Sequence, residues 1–432
     1  MLQPLSTDAT SEKGGLWTRI ASSLGPPREI ASILAQETGF IWLDSAVTAP
    51  GATSLLTAWP ETILQGHMDR DWPKVEAALQ EGITAERPGG LFGWVGYDGQ
   101  FVLGIYPHAL LYDHDRGEWF DCGHFWEKTQ AAGATKTGIH GAKPRDRVEG
   151  LAQLSFTALV TREDFLAQVQ RAQDYIRAGD IYQVNLSHPW RAEWSVDTAF
   201  FPLYQRLRQV SPAPHAACIS LAGTTILSAS PELFLKLSGR TIVTHPIKGT
   251  RPRFPNDPLR DAQAARELLA CDKERAELLM ITDLERNDLG QVCEYGSVQV
   301  PDLWRVESFA QVYHLVSTVT GRLRPEISHA AAFQACFPGG SITGAPKKRA
   351  TEIIAELEPH LRGLYTGAIG CFGFDGESRW NIAIRTAVQK GSEITFHAGS
   401  GIVADSIPAK EWEETLHKAS GILAAFSEPN KK

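Results

Sequence analysis

Little in this 432-residue chain points to a metal cluster, a membrane or a nucleic acid. The six cysteines (Cys122, Cys218, Cys271, Cys293, Cys336 and Cys371) are scattered, with no Cys-x-x-Cys pair. Zinc sites and redox motifs need such spacing, so these read as reduced thiols in a cytoplasmic protein. No apolar run approaches the roughly 20 residues of a membrane span. The opening MLQPLSTDATSEKGG lacks the basic-then-apolar order of a secretory signal. Positive charge is short: 42 Lys and Arg against 50 Asp and Glu leave a net charge of −8. That balance does not suit a nucleic-acid or anionic-membrane surface, though it leaves room for a local basic pocket. There is no repeat at a solenoid period. No Gly-Lys-[Ser/Thr] follows spaced glycines, as a Walker loop requires, and no Gly-x-Cys-x-Gly elbow offers a glutaminase nucleophile.

What is present describes a globular chain with ample core, 43% hydrophobic and 21% charged. Residues 1–150 read as an N-terminal segment plus a polar linker (about 128–150), co-folded with a larger unit, 151–432. Seven of the 12 tryptophans fall between residues 15 and 127, among short strand-like pieces. Gly89 to Asp98 alternates glycine with aromatics, as a buried strand with close backbone neighbours would. Apolar spacing predicts helices over 161–178, 258–284, 346–356 and 408–426. Strands are expected at 182–189, 216–221, 225–228, 233–237, 312–323, 363–374, 381–389 and 394–398. Many strands with little βα alternation give an α+β class built on large antiparallel sheets.

Three features carry chemistry. Lys248 lies between Ile247 and the Gly249-Thr250 pair, in a loop stiffened by Pro246 and Pro252. A lysine held against apolar neighbours can lose its proton and act as an amine nucleophile; a plain basic surface loop is the alternative. Glu274 and Glu277, and again Glu411 and Glu414, stand three apart on expected helices. A solvated helix face is the ordinary alternative, but Glu277 runs into Leu278-Leu279-Met280-Ile281. Carboxylates beside a core favour a hard divalent cation, Mg²⁺ above all. Gly339 to Lys348 is a glycine-rich loop feeding a helix, an expected anion site that includes Ser341. Arg385, expected within a strand, and Lys418, four residues past Glu414, could hold the same anion, a carboxylate. Arg385 could equally serve a structural ion pair, and His314 a satisfied core position.

These stretches resemble the chorismate-utilising enzymes, strongly from about residue 156 to 426 and more weakly from 15 to 127. The marks are Ala178 to Leu186, Ser230-Pro231-Glu232, Pro246 to Thr250, Asp283 to Asp288, the Gly-Gly-Ser-Ile-Thr-Gly-Ala-Pro loop, and Ala398 to Val403. The resemblance implies two large antiparallel sheets packed face to face with outer helices. It implies Mg²⁺ held by Glu274, Glu277, Glu411 and Glu414 on the ring carboxylate of chorismate. Tyr365, Arg385, Gly401 and Lys418 would serve the other carboxylate, with Gly249, Thr250, Ser341 and Gly399 shaping the pocket. Glu232 would be the general acid and His314 a further catalytic candidate. Relatives that add water resemble one another in a lysine where this chain has Gln183. Anthranilate-forming relatives have a small residue where this chain has Lys248, and usually valine in place of Asn185. The lysine therefore implies amination at C4, toward 4-aminobenzoate and folate, with Lys248 bonding C2 transiently. Ammonia would come from a separate glutaminase subunit, a class I glutamine amidotransferase. Anthranilate formation and a catalytically silent regulatory member are the alternatives. A tryptophan pocket of some relatives would correspond to Ser45, Pro214, His215 and Ala216, but small residues at 52–54 argue against an indole there.

Overall fold

The computed structural model describes residues 16–20, 24–47, 50–131, 154–195, 198–309 and 312–426. Most of the expected linker lies outside these residues. Two antiparallel sheets of 12 and 10 strands form the frame. Strands from both sides of residue 150 enter each sheet. Ile41–Asp44 pairs with His215–Leu221 in the larger, and Gly90–Val95 with Ala368–Gly373 in the smaller.

The sheets pack face to face because their strands alternate apolar residues on both sides. Ile41, Phe92, Ala217, Ile219, Ile226 and Ile369 meet between the sheets. Their neighbours Trp42, Cys218 and Leu227 point outward to a second core under helices Pro27–Leu34, Phe200–Val210 and Pro408–Phe426. Leu91 does the same on the smaller sheet, under Met68–Thr84 and His329–Cys336. A strand of period two buried on both faces needs this pattern, and each such side chain contributes about 1.5–3 kcal/mol. Gly89 needs its lack of a side chain, since a Cβ there would lie 1.9 Å from the Tyr106 carbonyl.

Three expected elements differ. The long 258–284 helix is two, Pro258–Ala270 and Asp272–Gly290, broken where Cys271 takes an extended ψ of 104°. The Lys248 loop is an edge strand, Ile247–Pro252, paired with Val312–Arg322 and bulged at Gly249 (φ 73°). The expected 381–389 strand is interrupted: Glu377–Ile382 belongs to the smaller sheet and Thr386–Lys390 to the larger. Arg385, at φ 50°, sits in the crossing. Apolar periodicity cannot register a chain that keeps its pattern while changing sheets. Among the described residues, no helix is long and apolar enough to cross a membrane.

One buried ion pair ties the pieces together. Arg362 and Glu358 are 2% and 4% exposed at their side chains. Arg362 Nε and Nη2 donate to both Glu358 oxygens at 2.8 and 2.7 Å. The guanidinium also donates to the Asn185 carbonyl (2.6 Å), the Ile342 carbonyl (3.2 Å) and the Thr366 hydroxyl (3.2 Å). Glu358 Oε1 accepts from the Ser187 amide at 2.7 Å. Arg362→Met would strand a buried carboxylate and should cost about 3–5 kcal/mol in urea unfolding. A loss below about 1 kcal/mol would show that the pair is not structural in this sense.

Candidate active site

The site forms where the chain passes from one sheet to the other. Ser230 ends a strand of the larger sheet and Leu233 begins one of the smaller, so Pro231 and Glu232 make the first crossing. Residues 383–385 make the second, in the reverse direction. The two are stitched together by the Ile382 amide, which donates to the Glu232 carbonyl at 3.1 Å. Backbone at such corners cannot complete a ladder, and both side chains are directed inward to protein rather than to solvent.

Glu232 is 5% exposed, and its Oε1 finds no partner within the described chain. Burial raises its pKa, opposed by the nearby Ser341 hydroxyl and by Lys248. Ser341 is close enough to act on the carboxyl, yet its Oγ makes no well-aligned hydrogen bond. Arg385 is likewise depressed by burial, with Glu232 opposing. Among the described residues, no hydrogen bond or ion pair engages its guanidinium. The structural ion pair weighed for it from sequence is therefore not formed.

Lys248 reaches across from the smaller sheet. Its Nζ lies 3.5 Å from where a Cβ on Gly401, in the larger sheet, would sit, and Gln183 Nε2 lies 3.2 Å from that point. A Cβ at 401 would therefore press on the Gln183 amide and touch the Lys248 amine. The residue as a whole keeps intermediate exposure, while its charged end is enclosed. Burial lowers the Lys248 pKa; Glu277, Glu232 and Glu414 pull it back up, and Lys418 pushes it down. The Gly249 bulge brings the backbone against Glu274, whose Oε2 would be 2.9 Å from a Cβ there. Arg251 pairs with that glutamate at 3.4 Å.

Gln183 is fully buried with neither amide atom partnered, and the Asn185 amide nitrogen is also unpartnered. Tyr365 stacks on His397, centroids 5.1 Å apart, and its hydroxyl fills the space beside Gly399. Lys418 donates to the Gly399 carbonyl at 3.0 Å and pairs with Glu414 at 2.7 Å. His314 is 4% exposed, its Nδ1 3.0 Å from the exposed Thr250 hydroxyl. Burial, then Arg385, lowers its pKa to about 4, so the imidazole is neutral near pH 7.

The four glutamates are not equivalent. Glu411 is buried and accepts the Ser400 hydroxyl. The Glu277 pKa is raised by burial and by Glu274 and Glu414, against Lys248 and Lys273. That of Glu414 ends lower: burial would raise it, but Lys418 and Lys248 outweigh burial. Among the described residues, no three His, Cys, Asp or Glu side chains converge as a metal cage. The set fits a divalent cation in its donor chemistry, since hard carboxylate oxygens are its preferred ligands and a cation would favour the charged form that burial and the neighbouring glutamates disfavour at Glu277.

Two expectations change. The amide of Gly340, in the glycine-rich loop, is already taken by the protein's own Glu285, whose Oε1 accepts it at 3.0 Å. Glu285 lies in the Asp283–Asp288 stretch, to which the sequence motifs assign no individual role. Its signal was available, because Leu278, Ile281, Thr282, Glu285 and Leu289 form one buried helical stripe. Pro214, His215 and Ala216 do line a cavity, with Asp44, Arg379 and Asn381, but its volume is about 30 Å³. That is room for a water or two. Ser45 does not line it and donates to the Val47 carbonyl. Asp44, which could hold an ammonium, is committed to Arg208 and Tyr204. Millimolar tryptophan should leave the melting temperature unchanged; a saturable rise would show that the cavity opens.

The chorismate binding enzyme family model matches residues 57–424. Anthranilate synthase component 1 3 of Haloarcula marismortui is 39% identical over 377 residues, 80% of this chain and 74% of that protein. Aminodeoxychorismate synthase component 1 of Escherichia coli is 40% identical over 322 residues, 74% and 69% of the two chains. Other relatives are matched over only 52 to 57% of their length. The crystal structure of anthranilate synthase component I from Streptococcus pneumoniae superposes with TM-score 0.74 at 30% identity, covering 87% of this chain and 93% of that one. With the matching model spanning most of the chain, and both crossings inside the matched region, this protein belongs to the chorismate-binding enzymes.

Proposed function

We propose that the chain aminates chorismate at C4 to 4-amino-4-deoxychorismate, a step toward 4-aminobenzoate and folate. The observation that carries this reading is Lys248, enclosed between the sheets with Glu232 beside it. The same burial that lowers an ammonium pKa raises that of a carboxyl, favouring a free amine and a protonated acid together. The Lys248 lone pair forms a bond to C2, both ring double bonds shift by one position, and the C4–O bond breaks. The departing oxygen takes the Glu232 proton, leaving water. Ammonia then bonds C4, both double bonds shift back, the C2–N bond to Lys248 breaks, and the new ammonium returns a proton to Glu232. Arg385, whose guanidinium has no partner among the described residues, is suited to a substrate carboxylate, and Tyr365, Lys418 and the Gly399–Gly401 backbone border the same end. Gln183 has no basic group to deprotonate water, which speaks against hydration of the ring. His314, neutral and tied to Thr250, is better suited to orient that strand than to transfer protons.

Mg²⁺ held by Glu277 and Glu414, with Glu274 and Glu411 behind them, would supply positive charge for substrate oxygens. Ammonia is assigned to a class I glutaminase subunit, in keeping with relatives named as component 1. Anthranilate formation is the second reading, supported by the relative named anthranilate synthase at 39% identity. In that reading Lys248 never bonds the ring.

Purified protein with chorismate, Mg²⁺ and ammonium should form aminodeoxychorismate, and glutamine should replace ammonium only after a glutaminase subunit is added. Without ammonia, intact mass spectrometry should show a chorismate-derived adduct that Lys248→Ala lacks. Anthranilate as the main product, with no adduct, would favour the second reading. EDTA should abolish turnover, and Glu277→Gln or Glu414→Gln should lower it at least about 100-fold while the fold persists. Either variant fully active in chelator would remove the metal from the proposal.

A further inference from the structure

Beneath the glycine-rich loop lies a charged group that the steps above do not use. Glu285 and Asp288 are 2% and 3% exposed on the inner face of helix Asp272–Gly290. Asp288 pairs with the Lys347 ammonium, which also donates to the Cys336 carbonyl at 2.9 Å. Glu285 Oε1 accepts the Gly340 amide, while Oε2 has no partner within the described chain. Gly340 packs closely against the helix. A Cβ on it would lie 2.6 Å from Leu284 Cδ2 and 3.1 Å from Glu285 Oε1. The next residue is Ser341, whose unpartnered hydroxyl stands by the Glu232 carboxyl.

We propose that Glu285 is a positioning residue: by holding the Gly340 amide it keeps the Ser341 hydroxyl against Glu232, the acid of the proposed reaction. The inference rests on that role for Glu232. The groups facing Glu285 are Asp288 on its own helix, Lys347 beyond the loop, Cys336, and Glu232 across it. Burial comes first, then Asp288, in raising its pKa, with Lys347 opposing. Two carboxylates sharing one ammonium favour a neutral Glu285, whose carbonyl oxygen still accepts the amide. A glutamine should therefore do the same work, and a leucine should not.

Glu285→Leu should lower kcat about tenfold, the loss of roughly one hydrogen bond's positioning, with KM for chorismate changed less than about twofold. Glu285→Gln should restore most of it. Because the Ser341 hydroxyl lowers the Glu232 pKa, Ser341→Ala and Glu285→Leu should each shift the alkaline limb of kcat upward. Combined, they should cost little more than the worse single change. Amide exchange across Gly340–Ser341, read by mass spectrometry, should quicken in Glu285→Leu and not in Glu285→Gln, whether or not chorismate is turned over. Unchanged exchange, or losses that multiply, would overturn the inference. Ser341→Ala with wild-type kcat and pH profile would overturn it even if Glu285→Leu cannot fold. Absence of any chorismate turnover by the unaltered protein would count against the reaction instead, leaving the exchange result to decide the positioning.

Discussion

The Arg362–Glu358 pair is the contact on which the cleft depends. A buried guanidinium must have its donors satisfied, because an unpaired one loses several kcal/mol of hydration. Here they are spent on the Glu358 carboxylate, the Asn185 and Ile342 carbonyls and the Thr366 hydroxyl. Asn185 lies on the long strand beside Gly401, Ile342 follows Ser341, and Thr366 follows Tyr365. Three segments distant in sequence are thereby fixed on one cation. The faces of Tyr97 and Tyr365 lie 4.7 and 5.6 Å from the same guanidinium, which adds cation–π attraction.

Around that anchor, one physical constraint shapes the site. Both crossings between the sheets remove charged side chains from water, and burial disfavours charge of either sign. Glu232 is raised by it, and Lys248, Arg385 and His314 are lowered. An acid that keeps its proton and an amine that sheds one then become compatible in the same space. Their mutual attraction works against this, as Glu277 and Glu232 do on Lys248. The balance is set by how much water the sheets exclude.

Some of the buried polar atoms left without a partner belong to the same place. Gln183, Asn185, Glu232 and Ser341 each leave a buried group without a partner within the described chain. Each such group costs on the order of 1–3 kcal/mol relative to a satisfied one. The cost is borne where strands of the two sheets converge, close to Lys248. Elsewhere in the core, polar groups such as His108 and Tyr106 bond to backbone carbonyls.

Sequence by itself determined the class of fold and most of its elements. Period-two runs such as Ile41–Asp44 and the 3.6-residue stripe of Arg162–Ala178, capped by Thr161 and closed by Gly179 at φ 81°, are local facts that survive folding. The motifs also named Lys248 and the glutamate pairs, whose residue types and spacings carry their chemistry with them, and the family resemblance added Glu232. Tertiary structure alone decided the rest. Whether Arg385 lies in a strand or a crossing depends on which sheet each neighbour joins, and both sheets demand the same apolar alternation. Whether the glycine-rich loop is free for a ligand depends on Glu285, which reaches it from a helix 55 residues away in sequence. Whether Lys248 is a surface cation or an enclosed amine depends on Gly401 in the opposite sheet. Desolvation is a property of everything that surrounds a group, and no local pattern in a chain records it.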